Sequence, residues 1–343
     1  MTPSRTRSPA SRAAQRWSPL LAGLRGRPFW AQFGGSVAAL IVLSAGFQLI
    51  SGSFLTLGNL RSVVEAAAVP AIIAAGISFV VIMGAIDLSV EGVMATASMV
   101  AALLVANGVN TNHLGVLGIL LALAVSLAFG LANGILNALM RMPSLIVTLG
   151  MWFIGLGTAA VLFPQRVPQI RDDLLLGVAR HGLLGFSLVV YVALVFVASA
   201  QAVLSHTTFG RMVYAIGGDE ALLASSGLRT RGIKIAAFCV SSLFAGVGGL
   251  LLSAQLGSGN ANIGNGHLFP AISASVLGGT LLTGGRGGAV QSALGALILE
   301  VLNNGLIQIG AGPYTRNIIS GAVILTAFAA SGVHRRQLLR VVK

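Results

Sequence analysis

The chain has 343 residues, 55% of them hydrophobic and only 8% charged, with 45 glycines. This composition excludes an ordinary soluble domain and indicates a polytopic helical membrane protein. The net charge of +13 does not mark a nucleic-acid binder, because ten of the 21 basic residues sit in the two ends (Arg5, Arg7, Arg12, Arg16, Arg25, Arg27, Arg335, Arg336, Arg340 and Lys343). Membrane orientation and anionic lipid account for charge placed there.

Residues 1–30 are rich in Arg, Ser and Pro and lack acidic residues, which reads as a disordered cytoplasmic tail, although a transit peptide has the same composition. The first apolar run is too long for a signal-peptide core and has no clear cleavage site, so a retained anchor is expected. Apolar runs place spans near 32–50, 63–83, 88–106, 115–139, 144–163, 185–204, 233–254, 267–282, 289–309 and 316–333. The eighth is a candidate for a short or broken helix. The expected fold is therefore all-α, with about ten transmembrane helices forming a permease domain over 31–333 and a second basic tail at 334–343.

Ten spans put both tails on one side. That side then carries the ten tail residues plus Arg141, Arg211, Arg229, Arg231, Lys234 and Arg286. The other receives only Arg61, Arg166, Arg171, Arg180 and Arg316, so 16 against five obeys the positive-inside rule. Spans two to five and seven to ten form two groups of four that start from opposite sides, with spans one and six outside them. Inverted groups of that kind are common in transporters. Gly130 and Gly134 have the GxxxG spacing of close helix packing.

Two carboxylates, Asp87 and Glu91, lie one helical turn apart in GAIDLSVEG, with Ser89 between them. A carboxylate deep in a bilayer costs about 2.5–3.5 kcal/mol, so it should face a cavity, a partner or the interface. Asp87 reads equally as the cap of the third span. Asn133 and Asn137 are also one turn apart, and Asn303 and Asn304 interrupt the ninth span. Amides suit a path for a neutral polyol better than one for an ion, but they also serve interhelical hydrogen bonding.

The longest polar interruption runs over 205–233. Within it Asp219 is placed to cap a short helix, Glu220 lies at that helix's positive end, and Gly227 is placed to end it after about two turns. A helix so short needs a docking partner. The stretch reads either as an ordinary polar connector or as a cytoplasmic handle gripped by another protein.

No catalytic constellation is present, so no enzyme activity is expected of this chain. The five histidines never fall at i, i+3 or i, i+4, which makes a helical metal site improbable. Cys239 is the only cysteine. The glycines of LGGTLLTGGRGG lack the Gly-Lys-Ser/Thr ending of a phosphate loop, so neither ATP binding by that motif nor any other cofactor is expected.

Several stretches together resemble the membrane subunit of ABC-type sugar importers, the ribose-type monosaccharide permease family. They are SFLTLGNL (53–60), GAIDLSV (84–90), NGILNALMRMPSLIVTLGM (133–151), TTFGRMVYAIGGDE (207–220), VLGGTLLTGGRGG (276–288) and LNNGL (302–306). The resemblance runs from about 53 to 333, and it departs from the usual pattern at Glu91, at Leu222 to Ala224, and at Leu268 and Pro270. It implies a multi-pass bacterial inner-membrane protein with cytoplasmic termini, pairing with an identical or paralogous permease. It further implies two ATPase subunits inside and a soluble binding protein outside, with a monosaccharide or small polyol as cargo. The coupling segment would include Gly210, Arg211, Gly217, Asp219, Glu220 and Gly227. The alternative class is an ion- or proton-coupled carrier or channel without an ATPase, for which Asp87 and Glu91 would be the support.

Overall fold

The structure, a computed structural model, describes residues 29–338, with side chains over 33–326. The two basic tails expected at 1–30 and 334–343 lie, but for their innermost residues, outside the described residues. Twelve helices follow in order: α1 Phe29–Ser51, α2 Leu57–Ile82, α3 Val90–Leu104, α4 Val116–Ala138, α5 Ser144–Leu162, α6 Asp173–Arg180, α7 Leu188–His206, α8 Thr208–Ser225, α9 Arg231–Leu256, α10 Leu268–Leu277, α11 Ala289–Gln308 and α12 Pro313–Leu338. A two-residue hairpin, β1 Gly182–Leu183 with β2 Phe186–Ser187, sits between α6 and α7. Among the described residues, seven helices are long and apolar enough to cross a membrane, while α3 and α10 are shorter apolar helices. The protein is an all-α polytopic membrane protein.

The ends of the bundle are fixed by loop-to-loop bonds. At one end the loops after α3, α5 and α9 are joined by short bridges, Asn107 with Ile170 and Gln169 with Ser258. At the other end, Gly285 N–H donates to Ile82 O at 2.8 Å, which joins the α10–α11 loop to the end of α2. That second end carries α8. Helix α2 therefore runs toward the α8 end and α9 runs away from it. Each group of four opens on a 26-residue helix and has its shortest helix second, with 15 residues in α3 and 10 in α10. In each group a long first helix is followed by a short one of opposite direction.

The two first helices form the centre. Within their most apolar windows 78% of α2 and 67% of α9 is buried, against 22% for α5 and 28% for α7, whose apolar faces are left for lipid. Helix α4 reaches the centre because Gly130 and Gly134 lie directly on the α9 backbone at Cys239 and Ile235. Any side chain there would strike main chain, which is the close approach that GxxxG spacing permits.

Three span boundaries differ from the apolar runs. Helix α2 begins six residues before the expected 63, because Asn59 bonds Phe54 O and Arg61 pairs with Glu65, which lets a polar turn join the helix. Helix α10 covers only 268–277 of the expected 267–282, since Gly279 follows at φ +102 and breaks it. The 164–184 segment, between the fifth and sixth expected spans, contains α6, whose cap Asp172 accepts from Leu175 N–H at 2.9 Å. Of the basic side chains described, Arg141, Arg211, Arg229, Arg231, Lys234 and Arg286 lie toward the α8 end, and Arg61, Arg166, Arg171, Arg180 and Arg316 toward the other. The charge asymmetry thus rests on the tails.

Candidate functional site

Helix α8 is two limbs. Thr207 caps the first by accepting from Gly210 N–H at 3.0 Å, and Gly210 packs on the Leu204 backbone at the end of α7, where a side chain would not fit. The helix breaks at Asp219, which is extended (φ −162, ψ 96). Asp219 Oδ1 then accepts from Leu222 N–H at 2.9 Å and caps the second limb. That limb ends in a Schellman motif: Leu228 N–H bonds Leu223 O at 3.2 Å, Gly227 N–H bonds Ala224 O at 3.1 Å, and Gly227 sits at φ +78. The sequence from Asp219 to Gly227 is thus a start and a stop only two turns apart.

The second limb is anchored by Leu223, which is buried, while Leu222 and Leu228 are exposed. Glu220 forms a salt bridge to Lys234 Nζ at 3.1 Å and accepts from Thr230 Oγ1 at 3.4 Å. With 45% of the Glu220 side chain exposed this pair contributes at most about 1 kcal/mol, so it orients the limb more than it stabilises it. Arg211 is exposed and bonds only Thr208, at 3.1 Å.

Where the limbs meet, three chain segments touch. A side chain on Gly217 would land on Ile82 O and Gly285 N, and one on Gly284 would press on Gly217 and Gly84. Tyr214 Oη donates to Gly287 O at 2.8 Å across the same contact, and burial pushes its phenol pKa up to about 12. The first limb is therefore clamped to the end of α2 and the α10–α11 loop, while the second limb is free to meet something else.

The second cluster is buried between α3, α4 and α9. Asp87 Oδ1 accepts from Ser89 N–H at 2.9 Å and Ser89 Oγ at 2.6 Å, while Oδ2 accepts from Ser241 Oγ at 2.7 Å. Asn133 Nδ2 donates to Ser89 Oγ at 2.8 Å. Asp87, Ser89 and Asn133 are wholly buried, so in this conformation they line no open path. Asp87 holds the turn at Ser89 that leads into α3 and ties it to α9.

Glu91 plays the matching part for the other short helix. Its Oε1 accepts from Gly266 N–H and Leu268 N–H, both at 3.0 Å, which places a carboxylate on the positive end of α10. Each group's short helix thus begins on a carboxylate, one supplied locally and one from across the bundle. The remaining candidates stand apart from both clusters. Asn137 donates to Met142 O at 2.9 Å, Asn303 Oδ1 accepts from Arg316 at 3.1 Å, and Asn304 Oδ1 is buried without a partner.

Ser241, Lys234 and Tyr214 were not singled out by sequence. Ser241 stands beside Ser242 in an otherwise apolar run, and its partner lies 154 residues away. Among the described residues no group of three or more His, Cys, Asp or Glu could hold a metal ion.

A family model described as the permease component of branched-chain amino acid transport systems matches residues 59–328. The ribose import permease protein RbsC of Escherichia coli (strain K12) is 35% identical over 302 residues, covering 87% of this chain and 93% of that protein. RbsC of Bacillus subtilis (strain 168) is 32% identical over 300 residues, covering 85% and 90%. The galactose/methyl galactoside import permease protein MglC of Escherichia coli (strain K12) is 30% identical over 311 residues, covering 86% and 93%. No solved structure matches.

Proposed function

The chain belongs to the permease-component family that this description names, among its ribose-type ABC sugar permeases, and on that premise we propose that it is the membrane subunit of an importer for a neutral monosaccharide or similar small polyol. Force comes from ATPase subunits that are separate chains, and cargo comes from a soluble binding protein on the opposite side. The observation that carries this reading is the second limb of α8. It is a self-contained capped helix, too short to be stable in isolation, that presents Leu222 and Leu228 at the end of the bundle from which α1 departs and to which α12 returns. Such a limb suits a docking cleft on a partner. That end is then the cytoplasmic one.

The clamp at Gly217 and Tyr214 gives a route for the force. A push on the second limb reaches the first limb, and through it the end of α2 and the loop that follows α10. The two groups of helices would then rock about the shared α2–α9 centre, as inverted-repeat carriers do. An ion-coupled carrier would need its intramembrane carboxylates for the ion, whereas Asp87 and Glu91 both hold helix starts.

The test is uptake of labelled D-ribose and D-galactose into vesicles holding the permease, its ATPases and the binding protein encoded beside it. Uptake should require ATP hydrolysis and survive collapse of the proton gradient. Uptake that persists without the ATPases and vanishes with the gradient would establish the ion-coupled alternative instead.

A further inference from the structure

Opposite α8, the end of α9, the loop after it and the start of α10 line an open hollow of about 360 Å³. That volume lies within the range of small-molecule sites. Its floor is Leu252 and Ile263, and its polar lining is Gln255, Asn260, Asn262 and His267. No charged side chain lines it. Asn260 Oδ1 is held by Asn262 N–H at 2.8 Å, and Asn260 N–H is held by Ser98 Oγ at 3.0 Å, so the loop is fixed. Glu91 fixes its far end through Gly266 and Leu268. The side chains of Gln255, Asn262 and His267 and the Asn260 amide nitrogen make no hydrogen bond among the described residues.

We propose that this cavity is a way-station for a neutral polyhydroxylated solute on the side of the protein facing the binding protein. Three amides and an imidazole offer donors and acceptors together, which is what sugar hydroxyls need, while the aliphatic side chains of Leu252, Leu256 and Ile263 suit the C–H surface of a ring. An anion would find no cation there. A cation would find no carboxylate, since none lines the hollow. Because the loop is held by its own main chain and by Glu91, the backbone that carries Asn260 and Asn262 is set before cargo arrives, and only side chains need ordering on binding. The site rests on the importer reading and adds to it the place where cargo is first held. It must release what it holds, so binding in the millimolar range is expected.

The experiment uses the assembled permease–ATPase complex in lipid vesicles. Cys239 is replaced (Cys239→Ala) and a reporter thiol is introduced at Leu256→Cys, an exposed lining position that makes no polar contact with cargo. Its alkylation rate is measured with D-ribose, with D-galactose and with gluconate as an anion of similar size, each at about 10 mM. For a Kd of about 5 mM, occupancy slows labelling by about threefold. The expected result is that slowing with a neutral sugar, none with gluconate, and its loss on adding Asn262→Ala, whose side chain holds no part of the loop. A thiol at Ser226→Cys, at the α8 end, should label at one rate throughout. Equal rates with and without every sugar, or equal protection by gluconate, would overturn the site. If ATP-driven sugar uptake by the same vesicles is intact in that case, the importer reading stands and only the way-station falls. If uptake is absent as well, both fall.

Discussion

Replacing Asp219 by alanine removes the one side-chain bond that starts the second limb of α8, from Leu222 N–H to Oδ1 at 2.9 Å. Loss of such a cap costs about 1 kcal/mol, within a range of about 0.5–2. A seven-residue helix over 220–226 is only about 10 Å long and has little reserve of its own, so about 1 kcal/mol weakens its helical state about fivefold against frayed alternatives. If the limb carries force, ATP-driven sugar uptake and sugar-stimulated ATP hydrolysis in the assembled complex should both fall, by up to about fivefold. Asp219→Asn keeps the cap and removes the charge, so it should stay near the unmodified protein. Both variants should reach the membrane normally, because Asp219 lies outside the bundle core. Full activity in Asp219→Ala, or equal loss in Asp219→Asn, would refute the cap as the reason this residue matters.

Other outcomes follow from the same geometry. Tyr214→Phe removes the bond to Gly287 O, costs about 1 kcal/mol, and should lower coupling efficiency, read as sugar moved per ATP, more than it lowers thermal stability. The Tyr214 phenol, with its pKa raised from 10.0 to about 12, contributes stability that is complete below about pH 10 and is lost as pH rises toward 12. Absorbance titration of the parent should therefore show a phenol ionising toward pH 12 that Tyr214→Phe lacks. Ser241→Ala deletes one donor to a buried carboxylate and should destabilise the detergent-solubilised protein by about 1–3 kcal/mol, measured as a lowered midpoint of thermal aggregation. Glu91→Ala leaves two N–H groups at the start of α10 without an acceptor and should lower the same midpoint, with Glu91→Gln intermediate because one carbonyl oxygen remains.

Much of this architecture was legible because a bilayer leaves few choices: a long apolar run must be helical. Caps and glycines set the α8 limb locally, so Asp219 and Gly227 revealed it. What stayed hidden depended on distance in the sequence. The clamp unites Ile82, Gly217 and Gly285, none of which signals its neighbours. Glu91 could be recognised as an expensive intramembrane carboxylate, but its donors lie 175 and 177 residues away, so its duty as a cap for α10 was not readable. Asp87 stood between two readings, and its bond to Ser241 on α9, 154 residues away, left no mark in the local sequence. The cavity-lining amides escaped notice because Gln255, Asn260 and Asn262 follow no helical spacing; the loop, not a helix face, gathers them.

The central claim, that force enters through the second limb of α8, is tested most directly by crosslinking. In a Cys239→Ala background, Leu222→Cys should form a crosslink to the ATPase subunit in the assembled complex, and nucleotide should change its yield. Leu184→Cys, on the exposed hairpin tip at the opposite end, should form none. An ATPase crosslink at Leu184→Cys with none at Leu222→Cys would place the partner on the wrong face and contradict the account.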